Sequence, residues 1–311
     1  MSINLINFAK SFIYETTAPV AVILLEMNEI TNIVKTNEVK ANRFKTITIC
    51  SFICLCFAGL ALVLQMPYAE IILWLSGIIG GIYGGFMWNK SACLDLLILR
   101  YRLSKKVLEM LTRDLAEENN LNVRLVLTKT IKNKPIRTIV HPYLKKVKIN
   151  FYTENWLKIE GYFLDGTHFS LIANELSQIR SGWRRGISGR DKYKSKSKAQ
   201  GLELSLTLTY LKQKYCLVET LQERVRSAVK IPKKTEIKKL KVTDKSINLI
   251  VKMPPYMSDK QEMIYKTITM MFLSLYQVLN WTQILSKQQV GEPRSAPATA
   301  TDVVGSRGRC S

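Results

Sequence analysis

Apolar residues come in this chain in two rhythms. Up to about residue 118 they form long runs or recur at helical spacing, and from Val123 onward they alternate with polar residues. The break divides the chain into a helical beginning and a strand-rich remainder.

Two runs dominate the beginning. Thr46 to Gln65 and Ile71 to Trp88 carry no charged residue, and each is close to the roughly 20 residues a helix needs to cross a ~30 Å hydrocarbon core. The link Met66-Pro67-Tyr68-Ala69-Glu70 suits only a tight turn. The pattern predicts a transmembrane helical hairpin over residues 46–88. Ahead of it, a helix starting near Pro19 places Ile23, Met27, Ile30 and Val34 on one stripe, so residues 1–45 read as an amphipathic helical region. Behind it, Leu96, Leu97, Leu99, Leu103, Val107, Leu108, Leu111 and Leu115 continue the helical spacing, which gives a membrane-proximal helix within residues 89–122.

The flanks of the hairpin are basic. Lys35, Lys40, Arg43 and Lys45 precede it and Lys90, Arg100, Arg102, Lys105 and Lys106 follow it, whereas the turn holds only Glu70. By the positive-inside rule the protein is expected to be integral to the inner membrane with both termini cytoplasmic. Tyr68, Trp74, Tyr83 and Trp88 suit interfacial anchoring. In the second run Gly77, Gly81 and Gly85 recur every fourth residue, beside a second row at Gly80 and Gly84. Such a face admits close helix packing, either on the first run or between copies of the chain in an oligomer.

The remainder reads as an antiparallel sheet with one buried face. Strands are expected at Arg124–Thr128, Val147–Phe151, Trp156–Phe163, His168–Ile172 and Gly201–Tyr210, with Asp165-Gly166 as a hairpin turn and Lys132 to Pro142 as a basic loop. In the clearest strand Leu202, Leu204, Leu206 and Leu208 face one way, and Glu203, Ser205, Thr207 and Thr209 the other. A short helix over Val218–Val229 and a strand pair at Ile237–Val242 and Ile247–Met253 follow, closed by Pro254-Pro255. The last helix is expected to run from Asp259 to Lys287. Its stretch Thr267 to Ser286 is uncharged, but Thr269, Gln277, Asn280 and Gln283 give it a polar stripe that suits a cover for the sheet better than a third span. The fold class is therefore α+β: a transmembrane hairpin followed by a basic cytoplasmic domain over residues 123–287, and a Gly-, Pro-, Ala- and Ser-rich tail over 288–311 read as disordered or as read-through sequence.

Charge changes this picture in the second half. Of the 46 basic residues five lie before residue 90 and 41 from residue 90 onward, and of the 24 acidic ones five and 19. The concentration is greatest from Arg180 to Lys198, where Asp191 is the only acid. Lys192, Lys194, Lys196 and Lys198 alternate strictly, so that on a strand all four ammonium groups project from one face. Arg184, Arg185 and Arg190 add to them, Trp183 and Tyr193 offer stacking surfaces, and Gly182, Gly186 and Gly189 let backbone N–H groups approach phosphate. An anionic partner is implied, either acidic lipid headgroups beside the membrane or nucleic acid. Lysines on an edge strand also block unwanted sheet pairing, the plainer use of such a ladder.

Chemistry beyond charge is sparse. Cys50, Cys54 and Cys56 lie in the first apolar run and Cys93 just beyond the second, with no paired spacing, so no disulfide framework or metal site is expected. His141 and His168 are the only histidines, and no phosphate-binding loop, nucleophile elbow or zinc-protease motif occurs. Glu160 with Asp165, or Cys216 with a histidine, become a site only if folding gathers them. No cofactor and no catalytic residue is expected. The reading is a membrane-anchored scaffold or adaptor with a basic anion-binding domain; the alternative is an oligomeric channel or pore-forming effector built on the glycine-faced run.

Overall fold

In the computed structural model, residues 11–291 are described apart from 64–66, 117, 128–134, 142–146, 186–188, 212–213, 216–224, 227 and 259. The chain runs as β1 (Ile13–Pro19), α1 (Val20–Val63), α2 (Pro67–Leu111), a 3₁₀ turn (Thr112–Asp114), β2 (Asn120–Val126), β3 (Arg137–Val140), β4 (Val147–Tyr162), β5 (His168–Arg185), β6 (Asp191–Thr209), β7 (Glu236–Val242), β8 (Ser246–Met253), α3 (Pro255–Ser258) and α4 (Gln261–Gly291). It divides into two compact units, one containing residues 11–13, 21–105 and 126–127 and the other residues 14–20, 106–125 and 135–291.

The first unit is a pair of long helices. The stripe beginning after Pro19 and the first apolar run as far as Val63 belong to one continuous helix of 44 residues, and the second run and the helix behind it to another of 45. Ile23, Met27 and Ile30 are fully buried. The Tyr101 hydroxyl donates to the Met27 carbonyl, Lys105 Nζ donates to Asn28 Oδ1 at 2.9 Å, and the buried Arg100 donates from Nη1 to the Val126 carbonyl at 2.9 Å. The glycine face is used inside the chain. A Cβ at Gly77 would sit 2.7 Å from Leu55, and one at Gly80 or Gly84 would run into Ser51 or Thr48, so α1 and α2 approach where side chains are absent. Gly81 faces open space, and the surroundings of Gly85 lie outside the described residues.

The transmembrane hairpin expected over residues 46–88 is not upheld. Among the described residues no helix is long and apolar enough to cross a membrane, which also overturns the inner-membrane placement with both termini cytoplasmic. The physical difference lies in what the runs belong to. They are not independent segments bounded by loops but stretches of helices that continue into charged sequence, through Glu38, Lys40 and Arg43 in α1 and Lys105 and Lys106 in α2. Within the runs Thr48 and Ser51 turn their hydroxyls back to the carbonyls of Phe44 and Ile47 and pack on the α2 glycines. Phe52, Ile53, Phe57, Ile78, Ile79, Ile82 and Phe86 remain exposed.

The second unit is built on an eight-stranded sheet in the order β1-β2-β4-β5-β6-β8-β7, with β3 on a separate stretch of β4. The pairings β2–β4, β3–β4, β4–β5, β5–β6, β6–β8 and β7–β8 are antiparallel. Register puts Ile159, Leu171, Leu206, Leu249 and Leu240 in one row and Leu157, Ala173, Leu204 and Val251 in the next. Most of these are fully buried, each large side chain contributing about 1.5–3 kcal/mol. α4 packs on β6, burying Ile268, Met271, Phe272, Leu275 and Leu279 while Gln277 and Asn280 stay exposed. The helix thus covers the sheet.

Several strands are longer than the alternation predicts. The segments at 147–151 and 156–163 are one strand, interrupted by a bulge between Asn155 and Leu157. β5 continues to Arg185, and β6 begins at Asp191. β1 is a strand within residues 1–45, a stretch expected to be an amphipathic helical region. The stretch Lys132–Pro142, expected to be a basic loop, contains the strand β3 at Arg137–Val140, held by its pairing with β4. Residues 132–134 and 142, most of the short helix expected at Val218–Val229 and the tail from residue 292 lie outside the described residues.

Candidate functional site

β5 and β6 form a hairpin whose far end is the basic segment. Register opposes Lys192 to Arg184, Lys194 to Gly182, Lys196 to Arg180 and Lys198 to Gln178. Directly opposed residues share a face, so the lysine ladder and these β5 positions lie on one side of the sheet. Successive lysines along a strand stand about 6.6–6.8 Å apart. Asp191 to Ala199 are all exposed. β8 pairs with β6 from Leu202 to Thr209, which among the described residues leaves 191–199 as a sheet edge.

The face owes its placement to one inserted residue. The register passes from Leu176 opposite Gly201 to Ser177 opposite Ala199, so Gln200 is the extra residue of a β-bulge. Leu204 therefore pairs with Ala173 on the core side, whereas Lys196, an even number of residues away, pairs with Arg180 on the opposite side. Gly201 permits the bulge. Its φ is +107°, and a Cβ there would collide with the Met253 carbonyl oxygen of the neighbouring strand. Gln200 Nε2 donates to Gln178 Oε1 at 2.6 Å and fixes the bulge to β5.

The lysine side carries no acid among its β5 partners from Gln178 to Arg184. Asp191, Glu175 and Glu154 belong to the other side, in register with Arg185, with Glu154 and with Glu175 respectively. Arg180 lies on an inner strand, between Lys196 and Ile149, and its Nε is buried without a hydrogen-bond partner among the described residues.

The predicted residues are only partly brought together. Lys192, Lys194, Lys196 and Lys198 share one face, as alternation requires. Trp183 and Tyr193 oppose each other with ring centroids 5.7 Å apart and edge to face, but on the other side of the sheet, beside Ser181 and Ser195. They do not form one surface with the lysines. Arg190 is exposed in the hairpin end beside Gly189, whose φ is +74°. Arg184 and Arg185 are the last residues of β5, and their side chains lie outside the description. Arg180 and Gln178 were missed because their relation to the lysines exists only through strand register.

The acid pair suggested by sequence is separated. Glu160 accepts from Ser170 Oγ at 2.9 Å and pairs with Lys158 at 2.8 Å, and it holds its proton less tightly than an ordinary glutamate: burial works against ionisation, but these hydrogen bonds and the charges of Lys158 and His168 outweigh it. Asp165 sits in the β4–β5 turn. Oδ1 accepts from the Thr167 N–H at 2.8 Å and Oδ2 from Thr167 Oγ1 at 2.9 Å and Tyr215 O–H at 2.7 Å. Burial raises its pKa, and the donors with nearby Lys214 more than reverse that, so the carboxylate is favoured. Burial and this carboxylate push Tyr215 up to about 12. Cys216 lies outside the described residues.

No protein-family model, no curated protein and no solved structure matches this chain.

Proposed function

We propose that the protein is a scaffold or adaptor that binds a polyanion on the lysine face of its β5–β6 hairpin, and that the polyanion is nucleic acid. The supporting observation is the opposition of Lys196 to Arg180 within a ladder of exposed lysines whose side of the sheet has no acid opposite them. Edge protection accounts for lysines on β6. It does not account for Arg180, an inner-strand guanidinium with a buried, unpartnered Nε. A linear array of cations fits a linear polyanion better than a lipid surface, and a single strand can lay successive phosphates along a straight ladder. Arg180, Lys192, Lys194, Lys196 and Lys198 make the contacts, with Arg190 at the end. Trp183 and Tyr193, on the other side, stack a base only where the strand turns over the free edge.

Fluorescence anisotropy of the full chain with a labelled single-stranded oligonucleotide tests this across a salt series. Five phosphate contacts give a slope of log K against log salt of about −3.5, and replacing the four lysines by glutamine flattens it by about 3. An unchanged slope, or binding only to acidic vesicles, rules the reading out.

A further inference from the structure

A second site lies under the opposite end of β5. Residues of α2, the 3₁₀ turn, the β4–β5 turn and α4 enclose a cleft of about 380 Å³, walled by Met110, Leu111, Phe163 and Phe272 and rimmed by the exposed Leu164 and Leu273. That volume is in the range of small-molecule sites, which pair apolar walls with few polar groups. Most of the polar groups here are already used. Thr269 Oγ1 donates to the Tyr265 carbonyl at 3.0 Å, and both oxygens of Asp165 accept from Thr167 and Tyr215.

One group is left open. The hydroxyl oxygen of Tyr276 is buried and has no hydrogen-bond partner among the described residues, although Thr167 is close enough to influence its acidity. Its ring is held edge to face against Phe163 with centroids 5.4 Å apart, which fixes the hydroxyl at the cleft. Burial, then the charge of Asp165, keep the phenol protonated far beyond neutral pH, so the open valence is a donor. A buried polar group without a partner is costly, and a ligand that accepts this hydrogen bond removes the penalty. Asp114 and Asp165 also line the cleft, and their charges repel an anionic head.

We propose that this cleft binds a small neutral molecule with a mostly apolar body and one hydrogen-bond acceptor, its body among Met110, Leu111, Phe163 and Phe272 and its acceptor on the Tyr276 O–H. The site is independent of the lysine face.

The test is calorimetric titration of the full chain with 2-undecanone, and with decanoate as a charged control of similar length. The expected result is saturable one-to-one binding of the ketone, at least tenfold tighter than that of decanoate. Tyr276→Phe weakens the ketone about tenfold without lowering the midpoint of unfolding, since it removes a hydroxyl that has no partner. Leu273→Trp at the exposed rim blocks the entrance and abolishes binding. Non-saturable uptake, equal affinity for decanoate, or unchanged affinity in Tyr276→Phe overturns the proposal.

Discussion

The two halves of β6 follow one alternating pattern and do opposite things. From Leu202 to Leu208 every second side chain is a leucine buried in the core, and from Lys192 to Lys198 every second one is an exposed lysine. Without the bulge a strand of period two would turn both sets to the same side. Gln200 and Gly201 separate them, so that the leucines meet α4 and the lysines stand on the other side. The lesson is that alternation defines two faces, while the partner strands and their register decide which face is core.

The largest expected effect strikes the point that separates the halves. Gly201→Val needs a β-branched residue at a φ of +107° and a Cβ where the Met253 carbonyl oxygen already lies. The β6–β8 pairing has to shift, and we expect a loss of about 3 kcal/mol or more. Chemical denaturation measures it. A loss below about 1 kcal/mol shows that the bulge relocates easily and that the register between the halves is not fixed.

Within each half the contrast predicts unequal tolerance. Leu204→Ala opens a cavity in a row shared with Leu157, Ala173 and Val251 and should cost about 2–5 kcal/mol. Lys196→Ala, on the exposed edge, should stay within about 0.5 kcal/mol while weakening oligonucleotide binding. Equal losses contradict the division of β6 into a core half and a surface half.

These cases show how much was legible in sequence. The Leu202–Leu208 strand, the hairpin turn at Asp165-Gly166 and the sheet-covering helix are local patterns, and each is found. The lysine ladder was legible as a face, but its neighbours were not. Arg180 joins Lys196, and Trp183 and Tyr193 leave them, through a register set by Gln200, which no periodicity marks. The apolar runs misled for a related reason. Freedom from charge over about 20 residues says that a helix is apolar locally, not that it ends there. In the fold Thr46–Val63 and Ile71–Trp88 fall in helices that continue into charged sequence, and Gly77, Gly80 and Gly84 pack on α1. The cleft was invisible because Met110, Asp165 and Tyr276 are distant in sequence.

The two ends of β5 differ in the same sense, one tied down and one open. At the Asp165 end Tyr215 donates to a carboxylate, and its pKa rises to about 12 from an ordinary value near 10. The folded state thus favours the protonated phenol. Its contribution is complete below about pH 10 and is lost as pH rises toward 12. Tyr215→Phe should lower stability at pH 8 by about 1–2 kcal/mol, and the gap to the wild type should close toward pH 12. A gap that stays constant between pH 8 and 12 removes the hydrogen bond to Asp165 as its cause.

The smallest effect concerns the open end alone. Four lysines on one face of a strand repel one another by a few tenths of a kcal/mol per neighbouring pair, and Arg180 opposite Lys196 adds to this. Without a polyanion nothing on their β5 partners from Gln178 to Arg184 offsets it. Replacing all four lysines by glutamine should therefore stabilise the free protein by up to about 1 kcal/mol at 10 mM salt, where the screening length is ~30 Å. At 1 M salt, with a screening length of ~3 Å, the gain should vanish. Denaturation of both proteins at the two salt concentrations separates this from a helix- or strand-propensity effect, which salt does not remove. The sign is the informative part. A core element loses stability when its side chains are altered, whereas a surface kept for a partner gains it. If the glutamine variant is less stable at low salt, the ladder is satisfied within the fold and the two halves of β6 are more alike than their charges imply.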